Sequence, residues 1–93
     1  MKIKLSKIKK DIEKLEEMEN LILDARKTIK WNKEKVNGLK DELLYKKSSN
    51  LDYTQVQYDI YQLQAESASN REFIKDLKRE KESLENALKL IIQ

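Results

Sequence analysis

The residues with chemistry to offer in this 93-residue chain are carboxylates, lysines and a few aromatics. Acids gather at Glu16, Glu17 and Glu19, and again at Glu80, Glu82 and Glu85. Paired carboxylates do acid–base work only where a desolvated cleft drives their pKa values apart. Di-metal sites in helical bundles combine inward glutamates with Glu-x-x-His pairs, and this chain has no histidine. It has no cysteine either, which removes disulfides, Cys/His zinc sites and thiol or imidazole catalysis. A single glycine cannot build a phosphate-cradling loop. No catalytic residue, metal ligand or cofactor is therefore expected, and the chain does not read as an enzyme.

Two other groups of residues could bind something. Between Met1 and Lys14 the cations Lys2, Lys4, Lys7, Lys9, Lys10 and Lys14 face only Asp11 and Glu13. Lys2, Lys4, Lys7, Lys9 and Lys10 are the candidate phosphate contacts, since lysine supplies a sequence-blind, salt-dependent attraction. The run contains no arginine to read a base and no aromatic to stack on one, so a solvated face is the favoured reading and nucleic acid is not the expected partner. The second group is aromatic. Trp31, Tyr45, Tyr53, Tyr58 and Tyr61 cluster in the central part of the chain. Trp31, Gly38 and Tyr45 recur every seven residues, while Tyr58, Tyr61, Ala65 and Ala68 share another stripe. Outward aromatics and small residues with few charges among them are what a helix-binding surface looks like, and these seven are the candidate partner-binding residues.

The elements that must carry these groups follow from a period of seven. Ile8, Leu15, Ile22, Ile29, Val36 and Leu43 place a branched apolar residue at every seventh position. Val56, Leu63, Asn70, Leu77, Leu84 and Ile91 repeat the pattern with one polar interruption. Seven residues make two helical turns, so each series holds one face of a long helix toward a partner. Paired antiparallel, Leu43 meets Val56, Ile29 meets Asn70 and Ile8 meets Ile91, and the residue numbers of every such pair sum to 99. That places the turn at Ser48, Ser49 and Asn50, the chain's one cluster of turn-forming residues.

The fold expected is all-α: one domain over residues 1–93, with helix 1 at about 2–47, a turn at 48–52 and helix 2 at about 53–92. The two long helices form an antiparallel helical hairpin, a coiled coil. Asp52 followed by Gln55 reads as a capping box for helix 2. Met18, Ala25 and Leu39 run three residues after the main series of helix 1, and Tyr53, Ile60, Ser67, Ile74, Lys81 and Leu88 flank that of helix 2. Between Tyr53 and Ala65, Val56, Tyr58 and Ile60 alternate with polar residues, which leaves a strand as an alternative there. Asn70 lies opposite Ile29, where a buried amide would fix register or oligomeric state, or else mark a local weak spot. Gly38 in mid-helix should cost about 1 kcal/mol relative to alanine, tolerated at a surface or kept for close approach by another helix. Two rods enclose little core, so dimerisation into a four-helix bundle or packing with a helical protein partner is expected.

The charge balance, Lys+Arg 20 against Asp+Glu 17, suits long solvated helices. No apolar run approaches the ~18 residues of a membrane span and no signal-peptide core opens the chain, so a cytoplasmic location is expected, with export alongside a partner by a non-classical route as the exception. The segment Arg71-Glu72-Phe73-Ile74-Lys75-Asp76-Leu77-Lys78-Arg79-Glu80-Lys81-Glu82-Ser83-Leu84-Glu85, in a hairpin whose aromatics lie toward the turn, resembles the small helical partners of Gram-positive type VII secretion effectors. The chain departs from their WXG-type relatives in that Trp31 is followed by Asn32 and Lys33 and lies well before the turn. That resemblance implies a non-catalytic adaptor, targeting factor or chaperone packed beside its effector. In its Lys/Ile/Asn-rich texture the chain is equally similar to small phage and mobile-element regulators that occlude a host or defence protein. A weak nucleic-acid accessory role through the lysine-rich N-terminus is the third expectation.

Overall fold

The computed structural model describes residues 5–92. Two helices make up the fold: α1 is Leu5–Ser48, 44 residues, and α2 is Thr54–Ile92, 39 residues. They pack side by side as a rod whose Cα positions span 74 × 16 × 14 Å. Helix 1 ends one residue later than its sequence pattern suggests and helix 2 starts one later, while the assignment of residues 2–4 lies outside the described part. The ambiguous segment is helical from Thr54 onward, because α2 buries Val56 and Ile60 against α1 and no second strand exists among the described residues.

The turn is closed by backbone geometry. Leu51 N–H donates to the Lys46 carbonyl at 2.9 Å and Asn50 N–H to the Lys47 carbonyl at 3.3 Å. With Asn50 at φ 56°, this is a Schellman-type helix end, and asparagine is the non-glycine residue that best tolerates the left-handed region. Lys46 and Lys47 stand in the last turn, where cations suit the negative end of the helix dipole. The expected capping box does not form. Asp52 Oδ1 accepts from Thr54 N–H at 3.0 Å and from the Thr54 hydroxyl at 2.7 Å, whereas Gln55 Nε2 donates forward to Asp59 at 2.9 Å. Helix 2 opens with the Tyr53 carbonyl accepting from Gln57 N–H, so Asp52 sits one residue too early to share a reciprocal box with Gln55.

The packing is in the register whose paired residue numbers sum to 99. Ile22, Val36, Val56 and Leu77 are buried; Ile8, Leu15, Ile29, Leu43, Leu63, Asn70, Leu84 and Ile91 are half-buried at the margins of a narrow seam. The flanking series completes it, with Met18, Ala25, Ile60, Ile74 and Leu88 buried. This core is not continuous. One cluster joins Met18, Ile22, Ala25, Ile74 and Leu77 with Ile29 against it; the other joins Val36, Val56 and Ile60 with Leu39, Leu43 and Leu63. Between them stand Asn32, fully buried, and Ser67, also buried.

Candidate functional site

The hairpin has two long edges, and its surface grooves show which residues share each one. On one edge, α1 contributes Lys35, Gly38 and Leu39 and α2 contributes Asp59, Gln62 and Leu63 to a groove near the turn. Trp31 and Tyr45 lie seven residues either side of Gly38, hence on the same stripe of α1. All three are exposed, Trp31 at 54% and Tyr45 at 66%, and the Lys35 ammonium sits 4.1 Å from the centre of the Trp31 ring. A Cβ added at Gly38 would meet nothing within 4 Å, so this glycine is neither forced by backbone conformation nor crowded by α2. It leaves the groove floor open.

Tyr58, Tyr61, Ala65 and Ala68 are exposed too, with Tyr58 at 56% and Tyr61 at 67%. Their spacing turns them roughly a third of a revolution from Asp59, Gln62 and Leu63, onto the back of α2. The seven candidate partner-binding residues therefore form two surfaces, with only the α1 trio beside the groove. Leu21, Leu23, Leu44, Phe73 and Leu90 are further exposed apolar residues that the aromatic pattern does not point to.

The polar element of the seam is not the one its interruption suggests. Asn70 Nδ2 donates to the Glu66 carbonyl at 3.1 Å within its own helix, and the side chain is half-buried. A helix interior offers a carbonyl four residues back, so this amide has no need of α1. The cross-helix pair is Asn32 Nδ2 to Ser67 Oγ at 3.4 Å, a long hydrogen bond, while Asn32 Oδ1 is buried without a partner among the described residues. One hydroxyl cannot satisfy both ends of an amide, so either orientation of the Asn32 side chain leaves one end unpaired. The signal in the sequence is Asn32 filling the step between Ala25 and Leu39 in the flanking series of α1, at the register partner of Ser67.

Lys81 interrupts the flanking series of α2 and is half-buried there. Its ammonium reaches Glu19 on α1 at 3.0 Å and Glu85 at 3.6 Å. The hydrogen bond to Glu19, with the charge of Glu19 and Glu85, raises its pKa above the ordinary lysine value despite the opposing effect of desolvation. Asp52 is shifted the other way: the Thr54 backbone and hydroxyl donors hold its carboxyl below the usual value, helped by Lys46. Among the described residues no group of His, Cys, Asp or Glu is arranged to hold a metal ion, and no helix is long and apolar enough to cross a membrane. Of the N-terminal lysines, Lys2 and Lys4 lie outside the described residues; Lys7, Lys9 and Lys10 are exposed and their spacing fans them around α1.

No protein-family model matches the chain, and neither a curated protein nor a solved structure matches it significantly.

Proposed function

We propose that this hairpin is a non-catalytic interaction module that docks a helical segment of a partner protein along the groove edged by Trp31, Gly38 and Tyr45. The observation that carries this reading is an open groove floored by Gly38, Leu39 and Leu63 beside an exposed tryptophan and an exposed tyrosine, on a fold too thin to enclose a site of its own. Removing a Cβ lets a third helix approach α1 closely, and flat aromatic rings on either side supply contact area with few rotatable bonds. A three-helix arrangement also covers the apolar margins that two helices leave half-buried. Such a module serves as an adaptor or chaperone for a secreted effector of the kind that type VII partners accompany; a phage or mobile-element inhibitor that occludes a host or defence protein would use the same contact.

The test compares the wild-type chain with Gly38→Leu and with Trp31→Ala/Tyr45→Ala. Sedimentation equilibrium of each protein reads self-association, and quantitative affinity capture reads partner binding. The account expects Gly38→Leu to keep the hairpin's circular dichroism while losing the partner or second copy retained by the wild type. Unchanged association in both variants would refute the groove as the docking surface.

A further inference from the structure

The opposite edge of the rod carries an unneutralised row of cations. Arg26, Lys33, Lys40 and Lys47 recur every seven residues on α1, and Arg71 and Lys78 occupy the equivalent positions of α2. The structure brings the two sets together. Lys33 and Lys40 share a groove with Arg71, lined also by Asn37, Gln64 and Ser67, and Arg26 shares the next groove with Lys78. At the heptad positions of these six cations the only carboxylates among the described residues are Glu19 and Glu85, and Lys81 engages both. None of the six cations makes an ion pair among the described residues. The other edge is mixed: Asp59, Glu66 and Glu80 on α2 and Glu42 on α1 stand among Lys14, Lys35 and Arg79, and Lys35 there is drawn over Trp31. A net charge of +3 thus hides a rod with a row of cations, unpaired among the described residues, along one side and mixed charge along the other.

We propose that the basic edge binds duplex nucleic acid through its phosphate backbone, independently of the partner groove. From Arg26 to Lys47 the row runs straight for roughly 30 Å at 1.5 Å rise per residue, close to one turn of duplex, whose repeat is about 34 Å. The groove between the cations is lined by the exposed amides of Asn37 and Gln64, which donate to phosphate oxygens, while Val36 and Ser67 there are already buried. The groove of Lys33, Lys40 and Arg71 thus offers no exposed apolar anchor for a protein helix, and in the groove of Arg26 and Lys78 Leu23, 51% exposed, is the single one. Tyr53 is the one aromatic against the row, its ring 5.1 Å from the Lys47 ammonium at the turn end. The grooves that hold Lys33, Lys40, Arg71, Arg26 and Lys78 are lined by no aromatic that could stack unpaired bases, which favours a duplex over a single strand. Self-association does not conceal the surface: a two-fold dimer joined through this edge would set cation against cation.

The experiment measures anisotropy of a labelled 30-base-pair duplex of arbitrary sequence against the full chain over a salt series from about 50 mM. Binding is expected with a log–log salt slope of roughly −5, one counterion for each engaged phosphate. Lys33→Gln/Lys40→Gln/Arg71→Gln should lower the affinity at least about 50-fold and reduce the slope by about three. Lys7→Gln/Lys9→Gln/Lys10→Gln removes the same charge elsewhere and should leave most of the binding. Circular dichroism of both triple variants verifies that the hairpin is retained. No binding at low salt, equal losses from the two variants, or tighter binding of a single strand of the same length would each overturn the proposal. So would binding of poly-L-glutamate without binding of the duplex, which would give the edge to an acidic protein. Gly38→Leu should bind the duplex like wild type, which separates this surface from the partner groove.

Discussion

Asn32→Leu should make the protein more stable, against the usual direction of core substitutions. Asn32 is fully buried, and among the described residues its single side-chain hydrogen bond is long and its Oδ1 has no partner. An unsatisfied buried polar group costs about 1–3 kcal/mol, and the hydrogen bond lost with it contributes about 1 kcal/mol. Burying a leucine in its place contributes about 1.5–3 kcal/mol, less about 1 kcal/mol or more for fitting a larger side chain between Ser67 and its neighbours. The buried Ser67 hydroxyl, left without its partner, takes back about 1 kcal/mol, so the balance is a gain of about 1 kcal/mol, which in a domain of this size raises the melting temperature by roughly 5 °C. Urea and thermal unfolding followed by circular dichroism measure it directly. The substitution also joins the two apolar clusters along α1, leaving Ser67 of α2 as the one polar residue between them, so sedimentation equilibrium should show a broader mixture of oligomers, the mark of lost register or partner specificity. A variant less stable than wild type by 1 kcal/mol or more would show that the Asn32 amide is fully satisfied, and the polar layer would lose its role.

Other substitutions separate the remaining parts of the account. Asn70→Leu should gain less than Asn32→Leu and leave the oligomeric state unchanged, since its amide is satisfied within α2; sedimentation of the two variants side by side checks this. Gly38→Ala should stabilise the free hairpin by about 1 kcal/mol, because its new methyl meets nothing and alanine is the better helix former. Ile22→Ala and Leu77→Ala should each cost about 2–4 kcal/mol in urea unfolding, as both fill the first cluster. Asp52 has a folded-state pKa below its ordinary 3.8, so its contribution is present above that value and is lost as pH falls through the folded pKa; Asp52→Ala should flatten the acid limb of the stability curve. Lys81 is raised above 10.5, so its contribution holds below that value and fades as pH rises through the folded pKa, and Lys81→Met should remove that alkaline loss.

The hairpin was legible because a branched apolar residue at every seventh position is hard to place on anything but a helix, and because the two series share one register number. Asn70 is the visible break in the stronger series, yet a helix can satisfy an asparagine from its own backbone. Asn32 hid in the weaker flanking series of α1, where the seam drifts and a polar residue looks like surface. The basic edge was invisible to charge counted in blocks, which finds only the lysine-rich start of the chain. It appears when cations are sorted by heptad position and α2 is laid beside α1, so that Arg71 falls between Lys33 and Lys40. The aromatic surface was legible in composition but not in arrangement, since a shift of one residue rotates a side chain by about 100° and carries Tyr58 and Tyr61 behind α2.

Everything about both surfaces depends on α1 and α2 of one chain lying antiparallel in this register, and nitroxide labels at Glu17 and Ser83 measure that most directly. Both residues are exposed, near the open end, and close to level in the register that pairs Leu15 with Leu84. Double electron–electron resonance should give one intramolecular distance under about 25 Å, consistent with helices packed 8–10 Å apart plus two label arms, and it should persist when labelled chains are diluted into unlabelled ones. A separation near the ~100 Å expected of one continuous helix, or a short distance that vanishes on dilution, would contradict the hairpin and remove both edges with it.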